Sequence, residues 1–346
     1  VPTTTLLLKT PLAANTGYGH DGFSLARYLS EAGVDVRLKP TFTGPPLPMG
    51  VAMMLVKDLE VPFDYLLHHV DPDQAGLSEG ERRHKAKKIY WTMWEFTQLE
   101  EHQRRDMAEK LSHYDLLLAY DEVTAQAFKP YAEEAGTPMK VLQGGFSSEE
   151  WKYDSRERDW NGVFRFCMVG QLHMRKNPFA AVRAFKEVRA KYGEQVELHL
   201  KTTVPTLPPQ MEDAYPGLKI HYTSWSHDQL KSFYAGCHTY LATSWGEGKN
   251  LPALEAQAMG VPVIYSNFGG HRQWGTQETG WPIGGTVEEH KPGMGSYRID
   301  HDELVAAMCE AVENRFQTRL KGERAASTVI SQNDWSKVVP RLLALL

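Results

Sequence analysis

The sequence predicts an α/β protein of two domains, each a parallel sheet covered by helices. Its 346 residues are too many for one ordinary core and suit two domains of about 150 to 180 residues each. Short apolar runs of strand length alternate with amphipathic helical segments, the rhythm of βαβ units. One such unit opens the chain, and another begins shortly before its midpoint, at Val163.

In the first half, Thr5–Leu8 reads as a strand and Asn15–His20 as a Gly-rich turn containing Gly17 and Gly19. A helix with Phe23, Ala26 and Leu29 on one face runs to Gly33, and Val34–Leu38 is the next strand. Taken alone, the two glycines mark a tight turn. Thr43–Pro48 is too rich in proline for regular structure. Phe63–Pro72 is a strand emptying into a turn with His69 at its carboxyl end, where ligands gather in open α/β sheets. His68 points to the other face as a structural histidine. The basic run at residues 79–88 reads as a solvated helix face, with a docking patch for an acidic acceptor or a membrane surface as the alternative. Ile89–Trp94 is a buried strand leading into Glu95. For Trp94 and Glu95 two readings stand: lining of an acceptor pocket, or core and capping residues. Asp115–Tyr120 is a further strand, and Asp121 opens a helix. Ser147–Asn161 is a polar linker. The expected domains are residues 1–150 and 157–330, with a final helix at about 331–346 returning to the first domain.

The second half starts with strand Val163–Val169 and a basic loop, Gly170-Gln171-Leu172-His173-Met174-Arg175-Lys176-Asn177-Pro178. Strand Val196–Lys201, a turn at Ser224–Ser226, helix His227–Gly236 and strand Thr239–Thr243 follow. They lead into Ser244-Trp245-Gly246-Glu247-Gly248-Lys249-Asn250-Leu251-Pro252 and a helix ending at Gly260. Asn250 is an N-cap residue type and Pro252 suits the first turn. The N–H groups of that helix tip, near Leu251, form a natural anion seat. Glu247 and Glu255 flank it, with seven residues between them. Carboxylates beside an anion seat serve hydroxyls rather than phosphates, and a sugar nucleotide carries both.

Residues 247–264 resemble the E-x7-E signature of retaining glycosyltransferases of family four, matching at Glu247, Gly248, Leu251, Pro252, Leu254, Glu255, Ala256, Ala258, Gly260, Pro262, Val263 and Ile264. The basic loop resembles that family's G-R-L-x-x-x-K-G segment, with Lys176 on its Lys and Gln171 where its Arg stands. Asp64 to His69 resembles its D-x-x-H-x-H run. The resemblance implies a GT-B fold, two Rossmann-like domains whose parallel sheets face a central cleft. It also implies retaining transfer from a UDP- or GDP-sugar, with no cofactor and no metal. Lys176, with Arg175 replacing the missing Arg, would stabilise the leaving diphosphate. Glu247 would hold the transferred sugar, Glu255 the ribose hydroxyls, and His69 would position the sugar. Gly17, Gly19, Gly170, Gln171, Ser224, Gly248, Lys249, Asn250 and Leu251 would complete the donor site. Lys249 replaces the usual Phe; it either faces the donor or lies solvent-exposed on its loop. A catalytically impaired sugar-nucleotide-binding protein and a sugar-nucleotide epimerase are the competing readings, the first motivated by Gln171.

The acceptor class stays open: glycan, lipid, protein, small molecule or modified nucleobase. A net charge of −5 gives no reason to expect nucleic-acid binding. No apolar run approaches the ~18 residues of a membrane span. The opening apolar stretch is too short for a signal peptide. Three cysteines without metal-like spacing read as buried thiols of a cytoplasmic protein.

Overall fold

The structure, a computed structural model, describes residues 4–13, 17–44, 47, 49–56, 62–151, 158–204, 211–291 and 294–346. Asn15 and Thr16 of the expected Gly-rich turn, three prolines of the Thr43–Pro48 loop and residues 152–157 of the linker lie outside them. The chain divides into two compact units. The first comprises Val1–Ser147, Lys291–Met294 and Asn333–Leu346, the second Ser148–His290 and Gly295–Gln332.

The first unit holds a six-stranded sheet, all of its pairs parallel. Its strands are β1 (Thr5–Leu12), β2 (Asp35–Thr43), β3 (Tyr65–His69), β4 (Lys87–Thr92), β5 (Leu116–Ala119) and β6 (Met139–Val141), in the spatial order β2-β1-β3-β4-β5-β6. Both faces are covered, which is why Leu6–Leu8 of β1 reads as an apolar run rather than an alternation. Leu6 and Leu8 pack with Leu25 and Leu29 of helix Gly17–Glu31 and with Trp335, Val338 and Leu342 of helix Trp335–Leu343. Leu7 faces the opposite cluster, with Leu66, Tyr90 and Phe128.

Two expectations for this unit are corrected. The first helix begins at Gly17, so the glycines form its first turn rather than a loop. A Cβ on Gly19 would lie 2.0 Å from the Ala13 carbonyl oxygen, so the helix rests directly on the end of β1. The basic run is not one solvated face. Glu79–Arg83 is a short helix closed by a Ser78–Glu81 capping box, while Lys87 and Lys88 already belong to β4. Glu81 points inward, fully buried, 3.1 Å from Lys9 and 3.0 Å from Lys39.

The second unit holds another six-stranded parallel sheet. Its strands are β7 (Phe164–Val169), β8 (Val196–Thr202), β9 (Leu218–Tyr222), β10 (Thr239–Ala242), β11 (Val263–Ser266) and β12 (Gly280–Ile283), in the order β12-β11-β10-β7-β8-β9. Counted within the unit this is 3-2-1-4-5-6, the doubly wound Rossmann order. Phe164, Phe166 and Met168 pack against Val182, Phe185 and Val188 of helix Pro178–Tyr192 and Leu304 and Met308 of helix His301–Glu313. The expected polar linker is anchored at its far end. Buried Arg158 donates to the carbonyls of Met259 (2.9 Å) and Gly260 (2.8 Å), where the helix Leu251–Ala258 ends.

Candidate functional site

In a doubly wound sheet the winding reverses between the first and fourth strands, and the loops leaving their carboxyl ends part to form a crevice. In the second unit those loops follow β7 and β10. They carry Gly170–Pro178 and Thr243–Pro252, the two stretches singled out from the sequence. Gly170 leaves β7 at φ +142, a backbone that favours glycine. The loops are tied together by main chain: Trp245 N–H donates to the Arg175 carbonyl at 2.8 Å. Thr243 Oγ1 donates to the Asn177 carbonyl at 2.9 Å.

Within this frame the two cations meet one carboxylate. Lys176 Nζ lies 2.6 Å from Glu247 Oε1 and Arg175 Nη1 lies 3.1 Å from Oε2. Ser244 Oγ donates to Glu247 Oε1 at 2.6 Å, and Arg175 Nη1 also donates to the Gly246 carbonyl at 2.6 Å. Glu247 is buried, which alone would raise its pKa. Lys176, Arg175 and the nearby His271 outweigh that and hold it well below the usual carboxylate range. An ammonium has three N–H donors and a guanidinium five, so each can hold Glu247 and still address a second anion. The loop backbone is braced from behind. Gly270 N–H donates to the Glu247 carbonyl at 2.7 Å, and a Cβ on Gly270 would stand 2.2 Å from the Gly248 carbonyl oxygen.

Asn250 stands at the N-cap position of helix Leu251–Ala258, but not as expected. It is left-handed, φ +64, and its side chain makes no capping hydrogen bond. Its amide turns instead to His271, with Nδ2 2.9 Å from Nε2. His271 is wholly buried, and burial takes its pKa down to about 4, so the ring is neutral. The Ser266 carbonyl lies 2.9 Å from Nδ1.

Glu255 sits one turn into the helix and receives the Tyr234 hydroxyl at 3.3 Å. Burial of its carboxyl raises the pKa to about 7, offset in part by Tyr234, Lys249 and Lys201. The solvent-exposed alternative for Lys249 is overturned. The residue is only 3% exposed, and its carbonyl accepts from Trp274 Nε1 at 2.9 Å. Gln171 and Ser224 are exposed at the ends of β7 and β9. The structure therefore groups Gly170, Arg175, Lys176, Glu247, Gly248, Lys249, Asn250, Leu251 and Glu255 around the two loops. Three further residues that build the site escaped the sequence reading: Lys201, Tyr234 and His271. Only His271, directly after Gly269-Gly270, carried a local signal.

The remaining candidates lie in the first unit. His69 ends β3 beside the switch between β1 and β3, but it is not open. Its Nδ1 is 3.0 Å from Thr10 Oγ1, and its Nε2 is 2.6 Å from Tyr120 Oη, which donates to Asp21 at 3.1 Å. Both nitrogens of the imidazole expected to position the sugar are engaged inside the unit. His68 lies on the opposite face, 2.6 Å from Tyr114 Oη. Trp94 and Glu95 follow the end of β4, half-buried, and Trp94 Nε1 donates to the Gln98 carbonyl at 2.8 Å. Gly17 and Gly19 lie in the helical turn above β1. Among the described residues no group of three or more His, Cys, Asp or Glu is placed to hold a metal ion. No helix among them is long and apolar enough to cross a membrane.

Residues 163–314, which contain both loops, match the family model described as Glycosyl transferases group 1. The sucrose-phosphate synthase of Thermosynechococcus elongatus superposes with a TM-score of 0.73 at 14% identity, covering 99% of this chain and 98% of that one. Anabaena HepE in complex with UDP-glucose superposes at 0.69 and 13% identity, covering 99% and 100%. The α,α-trehalose 6-phosphate synthase of Burkholderia multivorans gives 0.69 at 12%, covering 99% and 98%. The fold is that of a GT-B glycosyltransferase. The GT-B likeness runs over the whole chain at low identity and speaks for the fold. A curated relative, uncharacterized glycosyltransferase 335 of Sulfolobus islandicus rod-shaped virus 1, is 23% identical over 134 residues. Those residues are 38% of this chain and 39% of that protein, so the chain spans about two-fifths of the length of the curated relative it matches.

Proposed function

We propose that this chain is a retaining glycosyltransferase of the family-four type, moving a sugar from a UDP- or GDP-sugar to an acceptor hydroxyl. The observation that carries the reading is the convergence of Lys176 and Arg175 on Glu247 beside the helix tip at Asn250–Leu251. Glycosyl transfer is limited by departure of the nucleoside diphosphate, whose negative charge grows as the C1–O bond breaks. The two cations and the helix N-terminus supply the compensating charge, the work a divalent metal does elsewhere. Glu247 holds the transferred sugar and Glu255 the ribose. Arg175 takes over from the family's missing Arg, which answers the motive for an impaired protein at Gln171. The new C1–O bond forms on the face the diphosphate leaves. The bonding pair goes to the β-phosphate oxygen, which accepts the acceptor's proton, and the anomeric configuration is kept. The UDP-glucose complex of Anabaena HepE favours a UDP-sugar. Free, largely buried thiols at Cys167, Cys237 and Cys309 fit a reducing, cytoplasmic setting.

The test is a thermal-shift panel of UDP, GDP and their sugars, since a ligand bound to the native state alone raises its melting temperature. The transferred product's anomeric configuration is then read by NMR. Binding without transfer or hydrolysis supports the impaired protein, and a C2-inverted nucleotide sugar the epimerase. The absence of any shift removes the assignment.

A further inference from the structure

Asn250 carries an acceptor atom that the protein leaves unmatched, and its neighbours say which atom it is. Ser266 Oγ, 3.2 Å from His271 Nδ1, already donates to the Ser244 carbonyl at 2.8 Å, and the Ser266 carbonyl, 2.9 Å from Nδ1, can only accept, so Nδ1 carries the proton. The buried ring is neutral, so its Nε2 presents a lone pair. Asn250 meets that lone pair at 2.9 Å, which its NH2 group can do and its carbonyl cannot. The amide is thereby locked with Oδ1 turned away from His271. The residue is only 6% exposed, and Oδ1, itself buried, has no hydrogen-bond partner among the described residues. A buried carbonyl oxygen in that state calls for a donor.

The chemistry of that donor is restricted. A diphosphate at neutral pH presents acceptor oxygens only, and a carbonyl lone pair repels them. The phosphates therefore belong on the Lys176 and Arg175 side. What suits Oδ1 is an O–H group. On the reading of this site as one for a nucleotide sugar, we infer that Asn250 Oδ1, aligned by His271, accepts a hydrogen bond from one hydroxyl of the transferred sugar. Asn250 is then a donor-sugar specificity residue and His271 its positioning residue. The two act as a pair: without the imidazole the amide is free to turn over and offer its NH2 instead.

The experiment is calorimetric titration of the full chain with UDP, UDP-glucose and UDP-glucose analogues in which one hydroxyl at a time is replaced by fluorine, which cannot donate. The guanosine counterparts replace them if the melting panel selects that base. Wild type is expected to bind one analogue about tenfold more weakly than UDP-glucose. Asn250→Gly, which tolerates φ +64, is expected to bind UDP as wild type does. It should bind UDP-glucose about tenfold more weakly and no longer distinguish that analogue. His271→Gln, whose amide oxygen can take the Asn250 NH2, should keep the discrimination, and His271→Leu should lose it at unchanged UDP affinity. Equal binding of every analogue by wild type overturns the inference alone, as does an equal loss of UDP and UDP-glucose in Asn250→Gly. Failure of wild type to bind any nucleotide overturns the underlying reading, and the inference with it.

Discussion

The Lys176 ammonium stands 2.6 Å from the Glu247 carboxylate, joining two loops that leave different strands of the second unit. Removing it strips a buried anion of its nearest cation and leaves Arg175 at 3.1 Å and the Ser244 hydroxyl at 2.6 Å as its partners. Lys176→Ala should lower stability by about 3 kcal/mol in denaturant titration, as breaking a buried pair does. It should also lower kcat/KM by about 10²- to 10³-fold. Unchanged turnover in a folded Lys176→Ala protein would sink its assigned role.

Glu255 predicts a pH dependence of opposite sign to that of an ordinary ion-paired carboxylate. Its pKa in the folded chain is raised from 4.5 to about 7. The folded state therefore binds more protons than the unfolded one between those values, and stability is lost as pH rises through about 7. If the carboxylate form holds the ribose, donor affinity rises over the same interval. Glu255→Gln should flatten both profiles, and a variant that keeps the wild-type slopes would assign them to another group.

In the first unit Glu81 titrates the other way. Burial raises its pKa, but the Ser78 N–H, Lys39 and Lys9 outweigh it and bring the value to about 2. Its contribution is present above pH 4.5 and is lost as pH falls towards about 2. The shift corresponds to about 3 kcal/mol, reduced to about 2 by the solvent screening of its partly exposed lysines. Acid titration of Glu81→Gln by circular dichroism should show a smaller loss than wild type over that interval.

Gly17 and Gly19 separate cleanly. A Cβ on Gly17 meets nothing within 4 Å among the described residues, whereas one on Gly19 collides with the Ala13 backbone at 2.0 Å. Gly17→Ala should leave the melting temperature nearly unchanged. Gly19→Ala should cost about 2 kcal/mol or more by lifting the helix off β1. Equal melting temperatures for the two variants would contradict the packing described.

Much of this arrangement was legible in the sequence for a local reason. The strands are short apolar runs, and the loops after β7 and β10 announce themselves by glycine, charge and helix starts at Pro178 and Leu251. Lys176 and Glu247 follow from the resemblance of their two stretches to the family-four motifs; on residue type alone the first is a basic loop and the second one of a pair of carboxylates beside a helix start. What stayed hidden is set by tertiary contacts. Asn250 has the composition of a side-chain cap, but the imidazole of His271, from beyond β11, draws its amide away. Lys249 looked like a loop lysine because its burial depends on the segment carrying Trp274. Glu81 sat unnoticed in a charged run because its partners, Lys9 and Lys39, lie on β1 and β2. His69 was placed correctly at its strand end, but the hydroxyls of Thr10 and Tyr120 that engage it come from segments distant in sequence.

Trp335 meets Trp91 edge-on at 6.1 Å, and a side chain on Gly145 would strike it at 2.6 Å. The first unit thus closes on residues that leave the ribosome after everything in the second unit has been made. Vectorial synthesis then favours a birth order in which the later half matures before the earlier one. A nascent chain stalled just short of Asn333 would leave Trp91, Leu6 and Leu8 and the inner face of helix Gly17–Glu31 without the Trp335, Val338 and Leu342 that cover them.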